Sequence, residues 1–112
     1  VIADRAPLFV RLADGDVRNG YTVKILNMER ADKVFRLEIA GVPGATIAIP
    51  GLTAAETTEA ALPVKADSVG TFHVFVRAKP DLLRGRANEI VFSATDQATG
   101  LAYRRANVFN GP

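Results

Sequence analysis

His73 and Met28 are the residues in this chain with the most obvious chemistry, because an imidazole and a thioether both ligate copper. Each is the sole representative of its type. One histidine cannot supply a histidine-cluster metal site, so a copper site here would have to borrow ligands. The plainer reading makes Met28 a gap-filling apolar side chain and His73 a half-exposed strand residue. Asp14, Asp16 and Asn19 offer oxygen ligands at calcium-loop spacing, but the fifth, sixth and twelfth loop positions hold Arg18, Asn19 and Ile25. An EF-hand needs an oxygen ligand, a glycine and a glutamate there. A reverse turn accounts for the same residues, since Asp and Asn bond their own backbone in turns. A Ser–His–acid site would need Ser68 or Ser93 beside His73, and neither sits in a nucleophile elbow. No local motif pairs any two of the twelve carboxylates.

Arg77, Lys79, Arg84, Arg86, Arg104 and Arg105, with Tyr103 among them, form a basic subset in the second half. Such a set could touch nucleic acid or anionic lipid. Asp81, Glu89 and Asp96 dilute it, and cations on strand edges also deter unwanted pairing. Nucleic acid is therefore excluded as the expected partner, and contact with a membrane surface is retained as a secondary one.

These residues need a scaffold, and composition bounds it. The chain has 112 residues and a net charge of +2, with 48% hydrophobic and 23% charged residues. That length is one domain burying roughly 65% of its unfolded surface. The charge excess is too small to name an acidic partner. There is no cysteine, so disulfides, thiolate metal sites and Cys nucleophiles are excluded. The chain opens on Val1 and has no apolar run of membrane-spanning length, which reads as a piece of a longer protein.

The residue pattern has the period of short strands. Leu8–Leu12 and Tyr21–Met28 are apolar runs, and Asp14-Gly15 and Asn19-Gly20 are dipeptides at which a chain reverses cheaply. Phe35, Leu37 and Ile39 alternate with Arg36 and Glu38 over 34–40, giving one buried and one wet face. A short run over 46–49 ends at Pro50-Gly51, which fits an edge strand. Residues 53–61 read as a loop leading into a strand over 59–64. Over 70–77, Phe72, Val74 and Val76 share one face and Thr71, His73 and Phe75 the other. A polar connection over 78–88 precedes strands over 89–95 and 102–109, joined by a turn at 96–100. Strands repeat about every ten residues with turn signals between, as in a β-sandwich. The expected fold is all-β: an antiparallel, immunoglobulin-like or fibronectin-like sandwich of about seven or eight strands without a disulfide.

The block Pro7–Asn27, PLFVRLADGDVRNGYTVKILN, resembles the start of the immunoglobulin-like domain that closes FixG/CcoG-type proteins. The resemblance continues through Phe35–Gly41, the run over 70–77 and the closing Phe109-Asn110-Gly111-Pro112. It implies a parent with several transmembrane helices and cysteine-ligated 4Fe–4S clusters, acting as a copper reductase in assembly of cbb-type cytochrome c oxidase. It also implies that this domain follows the last membrane span, on the periplasmic side of the bacterial inner membrane. The cluster cysteines have no counterpart here, so no cofactor is expected within these residues.

The expected role is a non-catalytic accessory domain used for docking or for stabilising its parent, with the parent's membrane portion and oxidase assembly proteins as partners. The expected contact residues lie in two loops: Asp14, Asp16, Arg18 and Asn19 in the first, and Leu82, Leu83, Arg84 and Arg86 in the second. The alternatives are a domain that itself binds or passes copper, through His73 and Met28, and a generic adhesion or ligand-binding sandwich. The last would need an aromatic platform, and the chain offers no Trp and only Tyr21 and Tyr103.

Overall fold

The computed structural model describes residues 1–4 and 9–112. Among them are nine strands: β1 (Ile2–Ala3), β2 (Val10–Arg11), β3 (Val17–Asn27), β4 (Lys33–Ala40), β5 (Thr46–Ala48), β6 (Glu59–Val64), β7 (Ser68–Ala78), β8 (Ala87–Asp96) and β9 (Ala102–Asn110). Two antiparallel sheets stack face to face. The first runs β1-β3-β7-β5, with β2 also on β3, and the second runs β6-β4-β8-β9. From β3 to β8 every connection carries the chain into the opposite sheet, whereas β2–β3 and β8–β9 pair with their sequence neighbours.

Side-chain parity builds the core. Odd residues of β3 and β4 and even residues of β6, β7 and β8 point between the sheets. They bring Val17, Tyr21, Phe35, Leu37, Leu62, Val76, Ile90 and Phe92 into one buried cluster, which Phe109 of β9 joins. Tyr21 and Phe92 meet edge to face with ring centroids 4.8 Å apart, the arrangement that aromatic quadrupoles favour. The interior is mainly aliphatic and aromatic, as the alternation in β4 and β7 predicts, with Asn19, Asn27 and Asp96 as its buried polar residues.

Three departures from the sequence reading have physical causes. The run expected over Leu8–Leu12 forms ladder pairs only at Val10 and Arg11; Pro7 and Leu8 lie outside the described residues. A short strand at Ile2–Ala3 pairs with Tyr21 and Thr22, and its two residues are too few to leave a periodic signal. Asn19-Gly20 does not reverse the chain but lies inside β3. Only these two residues separate the β1 and β2 pairings on the β3 side. There the Asp4 N–H donates to the Gly20 carbonyl at 2.9 Å. A Cβ on Gly20 would sit 2.2 Å from Asp4 Oδ2, so glycine serves close approach here rather than a turn. Asp14-Gly15 does form the expected reversal, with Gly15 at φ 92° and the Leu12 N–H bonded to the Asp16 carbonyl at 2.8 Å.

Candidate functional site

The strand register places the two expected contact loops at the same end of the sandwich, because Val17 pairs with Ala78 and Ala87 with Asn110. Arg77 ties the first loop down. Its Nε donates to Asp16 at 2.9 Å, its Nη1 to Glu56 at 2.9 Å, and its Nη2 to Asp14. Asp14 is held below the usual carboxylate range, chiefly by the Asp16 backbone N–H and further by the Arg77 charge. Arg18 is a β3 residue on the outer sheet face, its guanidinium 4.6 Å from the Phe75 ring centroid.

Asn19 is not a loop residue. It points into the core at 2% exposure, donates to the Asn110 carbonyl at 2.8 Å and accepts from the Asn110 N–H at 2.8 Å. The local sequence reads as a turn, whereas the partner of this amide lies at the far end of the chain.

In the second loop, a single 3-10 turn over Pro80–Leu82 leaves Leu82 45% exposed. Leu83 instead packs against the core. Asn88 pins the loop by accepting from the Arg84 N–H at 2.7 Å and donating to the Gly85 carbonyl at 3.1 Å. The Arg86 carbonyl accepts from Gly111 N–H at 2.9 Å.

The residues singled out for chemistry are not brought together. His73 is exposed on β7, opposite Thr22. Met28 lies just past the Asn27–Ser68 pair, about 20 Å farther along the strand direction at the usual rise. Ser93 pairs with Glu38 and Arg104 in the other sheet. Ser68 Oγ donates to the Lys65 carbonyl at 2.7 Å. The basic subset is divided as well. Arg77 is spent on carboxylates, Lys79, Arg84 and Arg86 stand at the loop end, and Arg104 and Arg105 lie on β9, opposite Ser93 and Phe92.

A concavity lies toward the other end, where the sheets part between β3 and β9. It is a cleft of about 490 Å³. Its floor is apolar, built from Val23, Phe35, Leu37 and Phe92, with Lys24, Tyr103 and Arg105 on the rim. One wall carries an ion pair. Lys33 Nζ lies 2.5 Å from Asp96 Oδ2 and 2.6 Å from Glu29 Oε2. The Lys33 and Asp96 side chains are only 12% and 6% exposed.

Hydrogen bonds to Asp96 and Glu29 push Lys33 up to about 12. Asp96 is held low by its bond from Lys33 and by the Ala98 N–H at 2.9 Å. Both groups are therefore locked in their charged forms around neutral pH, which suits neither to proton transfer there. Sequence reading missed Asp96 by assigning it to a turn. Extending the inward parity of Ile90, Phe92 and Ala94 by one step would have found it.

The pair leaves a signature in acid. A carboxylate whose folded pKa is depressed stabilises the fold above its ordinary value of 3.8, and that contribution disappears as pH falls through the lower folded value. Asp96→Asn is expected to melt below the parent chain at pH 7. The gap between the two melting temperatures should close as pH drops below about 4. Thermal melts across pH 2–7 would show this, and a gap that persists unchanged in acid would rule the linkage out.

Comparison with known proteins matches this architecture and sequence. The family described as "IG-like fold at C-terminal of FixG, putative oxidoreductase" matches residues 1–112. The nitrogen fixation protein FixG of Rhizobium meliloti is 41% identical over 76 residues, covering 68% of this chain and 14% of that protein. Protein RdxA of Cereibacter sphaeroides is 35% identical over 74 residues, covering 66% of this chain and 15% of that protein. The chain thus spans only a small part of these relatives. The crystal structure of a FixG-related protein from Vibrio parahaemolyticus superposes with a TM-score of 0.79 at 21% identity, covering 97% of this chain and 90% of that one. At that identity the superposition speaks for the fold, and the sequence matches carry the kinship. On these grounds, the chain belongs to the family of immunoglobulin-like domains that form the C-terminal part of FixG.

Proposed function

We propose that the chain is a non-catalytic docking domain of a FixG-type, membrane-bound iron–sulphur protein. The parent serves assembly of cbb-type cytochrome c oxidase and the copper handling which that assembly needs. In this reading the sandwich stands on the periplasmic side of the bacterial inner membrane. The parent carries the 4Fe–4S clusters and the electron transfer, and this domain carries contacts with the parent's membrane portion and with assembly proteins.

One observation carries the reading: a cleft of a FixG-type domain combines an apolar floor with an ion pair fixed in its charged state, the mix of apolar area and fixed charge that a docking surface uses. No helix of the described residues is long and apolar enough to cross a membrane, so in this reading the parent supplies the anchor.

The test removes this domain from the full-length parent in cells. Cluster content and reduction of the parent should be unchanged, while assembled oxidase falls several-fold. Oxidase levels equal to those of the intact strain would refute the docking role. Loss of the clusters would place the domain inside the redox unit instead.

A further inference from the structure

We propose that the outer face of the β6-β4-β8-β9 sheet pairs weakly with the same face of a second copy of this chain, about a two-fold axis that runs along the strands. The inference goes beyond the docking reading and does not depend on it. The strand register supplies the first argument. One row of outward side chains crosses all four strands: Glu59 stands opposite Glu38, Glu38 opposite Ser93, and Ser93 opposite Arg104. The next row toward Asp96 holds Ala61, Arg36, Thr95 and Ala102. Both rows face away from the core, because Leu37, Leu62 and Phe92, on the other face of the same strands, are buried in it and side chains alternate along a strand.

The second argument is charge. Two carboxylates stand at the β6 side of the first row and one guanidinium at the β9 side, about 14 Å apart at the usual strand spacing. Arg36 lies 2.7 Å from Glu38 and 3.9 Å from Glu59, so the β6 side keeps one net negative charge. Arg104 enters no ion pair among the described residues, so the β9 side keeps one positive charge. Glu89, on the same face, lies two rows from Ser93, about 14 Å along β8.

Self-complementarity selects the occupant. An isologous contact needs a patch that matches its own image. A two-fold axis parallel to the strands, midway between β4 and β8, lays β6 of one copy on β9 of the other and β4 on β8. Arg104 then faces Glu59 of the second copy, twice over by symmetry, and Glu38 faces the Ser93 hydroxyl. In the neighbouring row Ala61 faces Ala102 and Arg36 faces Thr95. An axis across the strands at the charged row would lay Arg104 on Arg104 and Glu59 on Glu59, which like-charge repulsion disfavours. Ala40, Ala61, Ala102 and Ala106 are exposed and small, so two such faces can close to the usual sheet separation of about 10 Å. Four strands with about 20 Å of common length give on the order of 400 Å² per copy. That is about half the roughly 800 Å² per partner of a stable complex, so the pairing is transient.

The test follows the mass of the 112-residue chain by sedimentation up to millimolar concentration, with amide shifts read by NMR over the same range. Mean mass should climb from one chain toward two, and the Ser93, Thr95 and Arg104 amides should move with it. Molar salt should weaken the association several-fold. Arg104→Glu sets a carboxylate against Glu59 of the second copy, and Glu59→Arg sets a guanidinium against Arg104. Each should weaken self-association at least about tenfold. Both positions are exposed, so each variant should keep the amide spectrum of the fold. A mixture of the two single variants should pair, since both contacts then join unlike charges. The double variant exchanges the two charges and should self-associate within about threefold of the original chain.

A chain that stays single at millimolar concentration would overturn the proposal. So would single variants that associate as the original chain does, or a mixture of them that stays apart. Mass that climbs past two chains would mean an open, head-to-tail contact and overturn the two-fold axis. Shifts centred on the cleft or on the Leu82–Arg86 loop would place the contact on another surface and overturn it too. A chain that stays single while oxidase assembly still depends on the domain would remove this pairing and leave the docking role in place.

Discussion

Tyr21→Ala is expected to lower the stability of the chain by about 4 kcal/mol, the usual scale for truncating a fully buried aromatic. Tyr21 is 1% exposed. Its ring packs edge to face on Phe92 from the opposite sheet, and its hydroxyl donates to the Val108 carbonyl at 2.7 Å. Truncation would open a cavity between the layers and leave that carbonyl without its donor. Tyr21→Phe separates the two effects and should cost about 1–2 kcal/mol, the hydrogen bond and its orphaned acceptor alone. Denaturant titrations of the three chains measure both losses. A loss below about 1 kcal/mol for the alanine variant would show that the layers close without this ring.

The same tyrosine has an alkaline signature. Burial raises its phenol above the ordinary value of 10.0. Its contribution is present below pH 10 and is lost as pH rises toward the folded value.

Asn19→Ala is expected to cost about 2–3 kcal/mol, the scale of leaving buried backbone groups unpaired. The amide bonds both the carbonyl and the N–H of Asn110, 91 residues away. It thereby ties β3 of one sheet to the end of β9 in the other. Truncation strips both partners at once. Exchange of the Asn110 amide should accelerate in parallel with the stability loss. A variant as stable as the parent would mean that the carboxyl-terminal end of β9 is held by packing alone.

These two residues show where sequence reading works and where it stops. The strands around Phe35–Ile39 and Phe72–Val76 were legible because alternation is local: each residue's neighbours two positions away declare its face. The strand over 59–64 was legible for the same reason, although Pro63 sits inside it, since an edge strand tolerates proline. Asn19 was misread because Asn-Gly is a strong turn signal and the partner that overrides it lies at the other end of the chain. The carboxyl-terminal Asn110 carries no mark of that role.

The cleft was invisible for a related reason. It lies between strands of different sheets, and no residue type announces which distant segments will leave a gap between them. Lys33 and Asp96, 63 residues apart, show no mutual spacing to read. The two loops expected to carry contacts were half legible as loops. Turn residues located both, whereas the Arg77 fork that fastens the first joins residues from three separate segments.

The alternation of the backbone between layers has a kinetic consequence. Because β4, β5, β6, β7 and β8 each lie in the sheet opposite their predecessor, none of them can zip into a hairpin with the strand before it as it leaves the ribosome. The longest ladder, β3 with β7, waits for a partner that emerges some forty residues after β3 is complete. Loop closure must therefore be met before the β3–β7 ladder rewards it, which places the chain among slow, millisecond-to-second folders. During that interval Leu26 and its neighbours in β3 stand unpaired on two edges, and a chaperone that shields extended apolar segments would find them accessible.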